Sequence, residues 1–360
     1  MSDTSISTSH ALTVEQWEAK LFKQYLGELR YKPLMSTSMT SPIVVKENLM
    51  KAPGDVVNVG FRTALTGAGV TGTTALEGSE EALSFYNQAV TINLIRNGVR
   101  IDGKMTEQRV AFNMREEAKD ALTLWAAHKV QDDIATEFNT IDGVNYAAAT
   151  EGEKDTWLTN NADRVLFGAA TSNNSANDHS SSLANIDSTN DVLSPAIISL
   201  AKRMAKLANP KIEPIKVENG VEMYVMIAHP YAFRDLVTHA TMTGAQREVF
   251  PRLGNDHPLI KGQAFLYWDG VLVIESEDVL LLDGVGATSS DVAGNVLLGA
   301  GSILYAQGGI GGASRMEWVE ETFDYAAKVG FAVSMIYGVE KARYNSKDRL
   351  VTVYTSAQPD

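Results

Sequence analysis

The chain has 360 residues, 44% hydrophobic and 21% charged, which is enough for an ordinary buried core. It has no cysteine, which excludes disulfides, thiolate metal sites and cysteine nucleophiles. The 44 acidic and 31 basic residues give a net charge of −13, which disfavours a protein that grips duplex DNA over a broad face.

Location is predicted from two features of the sequence. No window approaches the roughly 18 consecutive apolar residues that a membrane-spanning helix needs. Residues 1–5 also lack the basic and apolar regions of a signal peptide. We therefore predict no membrane partner and a cytoplasmic location.

The N-terminal 50 residues predict a helix and then an extended arm. Val14, Trp17, Leu21 and Tyr25 recur at helical spacing, and the helix is expected to end by Pro33. The stretch 35–53 contains two prolines and is predicted to be extended.

A β-hairpin with a long connection is predicted next. Apolar and polar residues alternate at 57–61 and again at 90–94, which is the pattern of strands. The connection 63–89 is far longer than the usual loop of about two to five residues, and its tip at 66–72 is rich in glycine. We expect this hairpin to project from the body.

A long helix is predicted over 104–142, where the sequence has no glycine or proline. Thr106 is the expected N-cap, and Asp142-Gly143 is the expected stop. A helix of this length would span roughly 58 Å, whereas a compact chain of this size has a radius of gyration of about 21 Å. The helix would therefore form the spine of a flat or elongated body.

The second half predicts a mixed α/β region. Residues 145–191 are polar and rich in Asn and Ser, and we predict a surface excursion there rather than a core element. A helix is predicted from Ser194 to Asn209, and another after His229-Pro230. Strands are predicted at 223–228, 265–268, 271–274, 279–282, 303–305, 316–318, 329–335 and 351–353, with Asp269-Gly270 as a hairpin turn.

No motif predicts an enzyme or a metal site. The adjacent acids, such as Glu80-Glu81, point to different faces of an element, so solvated faces are favoured and intersubunit ion pairs come second. No Gly-x-Ser-x-Gly elbow and no His-x-x-x-His pair occurs. We therefore predict no catalytic, cofactor-binding or metal-binding residues.

Two sets of residues remain candidates for function. Gly67, Gly69 and Gly72 match the dinucleotide fingerprint G-x-G-x-x-G, but a flexible hairpin tip explains them better because Gly78 interrupts the helix that should follow. Arg96, Arg100 and Arg109 are expected to cluster where the hairpin meets the spine, either as contacts to acidic neighbours in an assembly or as solvent-exposed charge.

The order of these elements resembles the Hong Kong 97-type fold of tailed-phage major capsid proteins. The sequence looks like the branch formed by podoviruses of the coliphage N-four type. The segments that carry this resemblance are 65–72, 76–83, 103–109, 117–122, 214–217, 224–231 and 337–341.

The resemblance implies an α+β fold with five parts. These are an N-terminal arm (1–50), an extended hairpin loop (51–102), a peripheral domain with the spine helix and polar excursion (103–191), an axial domain (192–310), and returning strands of the peripheral domain with a C-terminal tail (311–360).

The resemblance also implies a function in the virion. Copies of the chain would assemble in the host cytoplasm as hexamers and pentamers of an icosahedral head, around double-stranded DNA that they do not bind sequence-specifically. Gly67, Gly69, Gly72, Glu80 and Glu81 would be assembly contacts, as would Arg96, Arg100 and Arg109. Portal, scaffolding and decoration proteins are further expected partners. Two alternatives stay open, an encapsulin-like compartment shell and a nucleotide-binding oxidoreductase.

Overall fold

The computed structural model describes residues 31–49, 54–62, 65, 67–73, 75–83, 85–102, 114–216, 220, 222–249, 265–309, 316–325 and 327–359. Most of the predicted N-terminal helix, together with Thr106 and Arg109, lies outside these residues. In the part of the chain that is described, no helix has the length and apolar character to cross a membrane.

The spine helix α1 is Met114–Phe138, and its 25 residues span about 38 Å. Ala118, Leu122, Val130 and Ile134 form its buried stripe, which confirms an amphipathic helix. The predicted end at residue 142 is wrong. Ile141 and Val144 instead form a β-bridge around Asp142-Gly143, both at positive φ, so this dipeptide makes a turn that follows the helix.

A six-stranded sheet lies against α1, and strands of a second sheet, described below, contribute to the same core. The strands of the six-stranded sheet run in the order β1-β2-β13-β15-β14, with β5 also paired to β15. Side chains on its inner face, including Tyr305, Trp318 and Val333, pack with α1. The strands are β1 (Met35–Ser36), β2 (Ile43–Leu49), β5 (Asn93–Ile101), β13 (Ile303–Gly308), β14 (Met316–Phe323) and β15 (Lys328–Lys341).

Within the stretch 35–53, β2 is extended as predicted, and it pairs with β13 of the same chain, where its Ile43 and Val44 are fully buried. Pro42 does not prevent this pairing because it directly precedes β2 and needs no ladder hydrogen bond there.

The predicted hairpin is confirmed as β3 (Val56–Arg62) paired antiparallel with β4 (Phe85–Thr91). Val57, Val59 and Phe61 pack with Leu304 and Ala306 on the outer face of the six-stranded sheet, opposite α1. The alternating run at 90–94 is split at Ile92, since residues from Asn93 onward belong to β5. The base of the hairpin thus lies on its own subunit, whereas the described residues of the connection beyond Arg62 are all exposed.

An eight-stranded sheet forms the other half of the molecule, in the order β6-β18-β12-β8-β10-β9, with β11 on β12 and β7 on β8. One face packs on helices α4 and α5, and Ile227, Val296 and Leu298 on the other face join the α1 core. The elements are β6 (Val165–Phe167), β7 (Ile215–Lys216), β8 (Glu222–Ala228), β9 (Phe265–Trp268), β10 (Val271–Glu275), β11 (Leu281–Leu282), β12 (Val292–Leu298), β18 (Leu350–Ser356), α4 (Pro195–Leu207) and α5 (Pro230–Thr238), with α6 (Ala240–Val249) following α5.

The segment 145–191 is not a surface excursion, and this prediction is wrong. It contains α2 (Glu151–Asn161), β6 and α3 (His179–Leu183), and Trp157, Phe167 and Leu183 are buried in a core of their own. We call this segment the 145–191 lobe. Its strand β6 pairs with β18, so the lobe is part of the eight-stranded sheet.

The C-terminal segment 311–360 is divided between the two sheets. Strands β14 and β15 belong to the six-stranded sheet, whereas β18 lies between β6 and β12 in the other. A small hairpin, β16 (Arg343–Tyr344) with β17 (Lys347–Asp348), links the two.

Candidate assembly surfaces

The described part of the hairpin connection, which we call the loop segment (65–83), is folded by its own glutamates. The backbone N–H of Gly67 donates to Glu81 Oε2 at 2.6 Å, and that of Gly78 donates to Glu80 Oε2 at 2.7 Å. Both predicted acids therefore have a structural partner inside the loop.

Glycine is required at particular points of this segment. Gly69 and Gly72 both have φ of +69°, a conformation that side-chain-bearing residues rarely adopt. A Cβ on Gly67 would lie 2.7 Å from Glu81 Oε2. The three predicted glycines thus set the shape of the loop.

The loop segment also exposes apolar side chains. Leu65 and Leu76 are 58% exposed, and Phe85 at the start of β4 is 69% exposed. Glu77, Glu80 and Glu81 are its charged residues, and no basic residue accompanies them between 65 and 85. An exposed patch that is apolar and acidic is typical of a surface that binds another protein.

The dinucleotide interpretation of this segment lacks its structural context. That site needs a strand, a helix and a second parallel strand. Here the glycines connect two antiparallel strands, and the described residues between 65 and 83 contain no helix.

Arg96 and Arg100 lie on the outer face of β5. Ile95 and Ile101 of this strand pack toward α1, so the alternate residues point away from it. Both arginines are exposed, and the Arg100 guanidinium lies 4.5 Å from the centre of the Phe323 ring. The structure brings two of the three predicted arginines onto one face, and Arg109 lies outside the described residues.

A shallow groove runs along this face, and sequence reasoning missed it. Its floor is made of small residues, Gly98 on β5 and Gly330, Ala332 and Ser334 on β15. The arginines form one wall. Strand β14 forms the other wall, with Glu317, Val319, Glu321 and Phe323. We call this feature the outer groove. The alternation of small residues with Val329, Phe331, Val333 and Met335 was its only signal in the sequence.

The loop segment and the outer groove lie at opposite ends of the six-stranded sheet. Gly338 of β15 lies under Thr91 at the base of the hairpin, and Tyr344 lies beside Tyr86 near its far end. The hairpin therefore runs away from the groove residues 330–334. A loop that points in this direction cannot fill the groove of its own subunit.

Comparisons with known proteins agree with this architecture. The family model described as phage capsid protein matches residues 5–355. The major capsid protein of Pseudomonas phage KPP25 is 28% identical over 302 residues, covering 78% of this chain and 76% of that one. Among solved structures, the cyanophage Pam1 capsid is 26% identical with a TM-score of 0.82 and covers 100% of both chains. The capsid of Ralstonia phage GP4 is 22% identical with a TM-score of 0.74, covering 99% of this chain and 96% of that one, which supports the fold.

Proposed function

The chain belongs to the phage capsid protein family and is a major capsid protein of the virion shell, and on that premise we propose how its copies join. The loop segment of one copy lies in the outer groove of the next, head to tail. Contacts of this kind close into rings, here hexamers and pentamers, which build an icosahedral head around double-stranded DNA.

Complementarity between the two surfaces carries this proposal. The loop segment presents exposed leucines and three glutamates. The outer groove offers a floor of small residues, and Val319 and Phe323 as apolar contacts for the leucines. Arg96 and Arg100 attract the glutamates, whereas Glu317 and Glu321 on the opposite wall repel them, so the acidic side of the loop faces the arginine wall. Because the surfaces lie at opposite ends of one sheet, each subunit can offer its loop and accept another at the same time. Glu80 and Glu81 contribute both by shaping the loop and by their charge.

Further partners and parts follow from the same proposal. Arg109 joins Arg96 and Arg100 as a basic contact to the neighbouring subunit. Portal and scaffolding proteins take part in assembly. A decoration protein binds the finished shell. The half built on the six-stranded sheet acts as the peripheral domain, and the half built on the eight-stranded sheet as the axial domain. The net charge of −13 suits a wall that encloses DNA without holding it tightly.

The two alternative functions have less support. The phage capsid family model spans residues 5–355, which favours a virion over an encapsulin-like compartment. The oxidoreductase alternative depended on the glycine fingerprint, and these glycines lie in an antiparallel hairpin.

Electron microscopy of the purified protein tests the proposal, with a variant that carries Gly67→Val, Gly69→Val and Gly72→Val. We expect wild-type protein to form closed shells, tubes or rings. The triple variant should give at least about tenfold fewer particles, because Val is strained at the positive φ of Gly69 and Gly72 and its Cβ at Gly67 would displace Glu81. Its melting temperature should change little, since the loop is exposed.

The matched control carries Gly152→Val and Gly244→Val, where an added Cβ meets no atom within 4 Å. It should assemble like the wild type. Normal particles from the triple variant would contradict the role of the loop. A small uniform oligomer from wild-type protein, alone and with co-expressed scaffold, would contradict the assembly itself.

A further inference from the structure

His179 is enclosed by aromatic rings in the core of the 145–191 lobe. Its side chain is 1% exposed. The rings come from four separate segments, namely Tyr146 before α2, Trp157 on α2, Phe167 on β6 and Tyr354 on β18, with centroids 5.6 to 6.2 Å from the imidazole. The histidine thus lies where the lobe meets strand β18.

Neither ring nitrogen of His179 has a hydrogen-bond partner among the described residues. Its backbone N–H donates to Asp155 Oδ1 at 2.8 Å. Buried polar atoms are nearly always paired, so an imidazole with two unpaired nitrogens needs an explanation. Packing alone would be served better by phenylalanine or leucine.

Charged side chains surround this core, but none bonds to the imidazole. They are Glu151, Lys154 and Asp155 on α2 and Asp178 at the start of α3. Burial lowers the pKa of His179 to about 4, against the opposing influence of the acids. Contact with aromatic faces stabilises a desolvated cation by about 2 kcal/mol or more, whereas burying an ion costs several kcal/mol. The neutral imidazole is therefore the form that fits.

We propose that His179 is an acid-operated latch, which holds the 145–191 lobe on strand β18 while neutral and loosens it when protonated. The sign follows from the two protonation states. The folded-state pKa of about 4 lies below the ordinary value of 6.5, so the stabilisation is complete above about pH 6.5 and is lost as the pH falls toward 4. Acid would then open this lobe before the six-stranded sheet, which His179 does not touch.

Hydrogen exchange of the full-length assembled protein tests the latch. Amide exchange is measured by mass spectrometry at pH 7 and pH 4.5, and each rate is divided by its intrinsic rate at that pH. Protection of lobe peptides should fall by about 60-fold, the change that pKa values of 4 and 6.5 give over this range. Peptides from β15 should change much less.

Two substitutions of the latch residue, His179→Phe and His179→Gln, should each remove this lobe-specific loss because neither side chain titrates. The matched control is His128→Gln, at an exposed position of α1, which should behave like the wild type. An undiminished loss in both His179 variants, or no lobe-specific loss in the wild type, would overturn the proposal.

A measurement on the wild type alone covers the case in which the variants fail to fold. Exchange of the imidazole C2 proton, measured over a range of pH, reports the pKa of His179. We expect the midpoint of His179 to lie at least about 1 pH unit below the ordinary histidine value of 6.5. A midpoint for His179 near 6.5 would also overturn the latch.

Discussion

Lys341 and Asp348 form an ion pair that is buried between the lobe and the end of β15. Their charged atoms are 2.7 Å apart, and each side chain is 1% exposed. The Trp157 indole N–H donates to the same carboxylate oxygen at 2.9 Å, and the Lys341 ammonium also donates to the carbonyl of Thr140. Sequence alone presents these residues as ordinary surface charges around a tight turn, because their burial depends on α2 from a distant segment.

Replacing one partner of this pair should be costly. Lys341→Met leaves Asp348 charged and buried, so the free energy of unfolding should fall by about 3–5 kcal/mol. Urea denaturation measures the loss. The double variant Lys341→Met with Asp348→Asn keeps an acceptor for Trp157 and should lose less.

The neighbouring pair supplies the control for this prediction. Lys347 and Asp163 are 3.5 Å apart and each is about a third exposed, so Lys347→Met should cost less than about 1 kcal/mol. Equal losses for Lys341→Met and Lys347→Met would show that burial of the ion pair does not matter for stability.

At the scale of elements, strongly periodic segments were predicted well. The hairpin β3–β4, helix α4 and the Asp269-Gly270 turn form where their patterns indicate. The lobe was missed because its polar residues bond backbone groups inside the fold. Asp191, for example, accepts from the backbone N–H groups of Ala169 at 2.6 Å and Asp187 at 3.0 Å. A composition rich in Asn, Ser and Asp therefore concealed a core built on a few large side chains.

The outer groove could not be predicted for a different reason. It exists only because β5 and β14 both pair with β15, although they are far apart in the chain. Arg96 and Arg100 were recognisable as candidates, but their opposite wall, with Val319 and Phe323, depends on strand register that a single sequence does not specify.

The contact between α1 and β15 should depend on pH. Glu137 near the end of α1 accepts from the backbone N–H of Lys341 at 3.2 Å, and burial, with the charge of Glu340 second, raises its pKa to about 7. A raised acid pKa gives stability that is complete below about pH 4.5 and is lost as the pH rises through 7.

Glu137→Gln should remove this dependence. Between pH 5 and pH 8, the wild type should lose roughly 1–3 kcal/mol of unfolding free energy relative to the variant. Urea titrations at several pH values measure the difference. Glu116→Gln, at an exposed position in the first turn of α1, should run parallel to the wild type. Parallel curves for Glu137→Gln as well would contradict the prediction.

For the whole molecule, the important point is the polarity of the proposed contact. A subunit with its loop at one end of the sheet and its groove at the other forms heterologous contacts, which continue until a ring closes. Substitutions that disrupt either the loop segment or the outer groove in every copy should therefore stop assembly, although each subunit keeps the other surface intact.

Mixing two defective variants tests this polarity. One carries Arg96→Glu and Arg100→Glu in the groove, and the other carries the three glycine-to-valine changes in the loop. Neither should assemble alone. Because the mixture holds one intact loop and one intact groove, we expect dimers of two 39.0 kDa chains in sedimentation velocity and no shells. Shells from the mixture, or no association at all, would contradict a head-to-tail contact.

Strand β18 has a consequence for the order of events during synthesis. It lies between β6 and β12 and pairs with both, yet the ribosome makes it after every other strand of that sheet. Until residue 356 emerges, β6 has no partner and one edge of β12 stays open, so the lobe cannot close over His179. The eight-stranded sheet is therefore completed later in synthesis than the six-stranded sheet that carries the outer groove, whose last strand is β15.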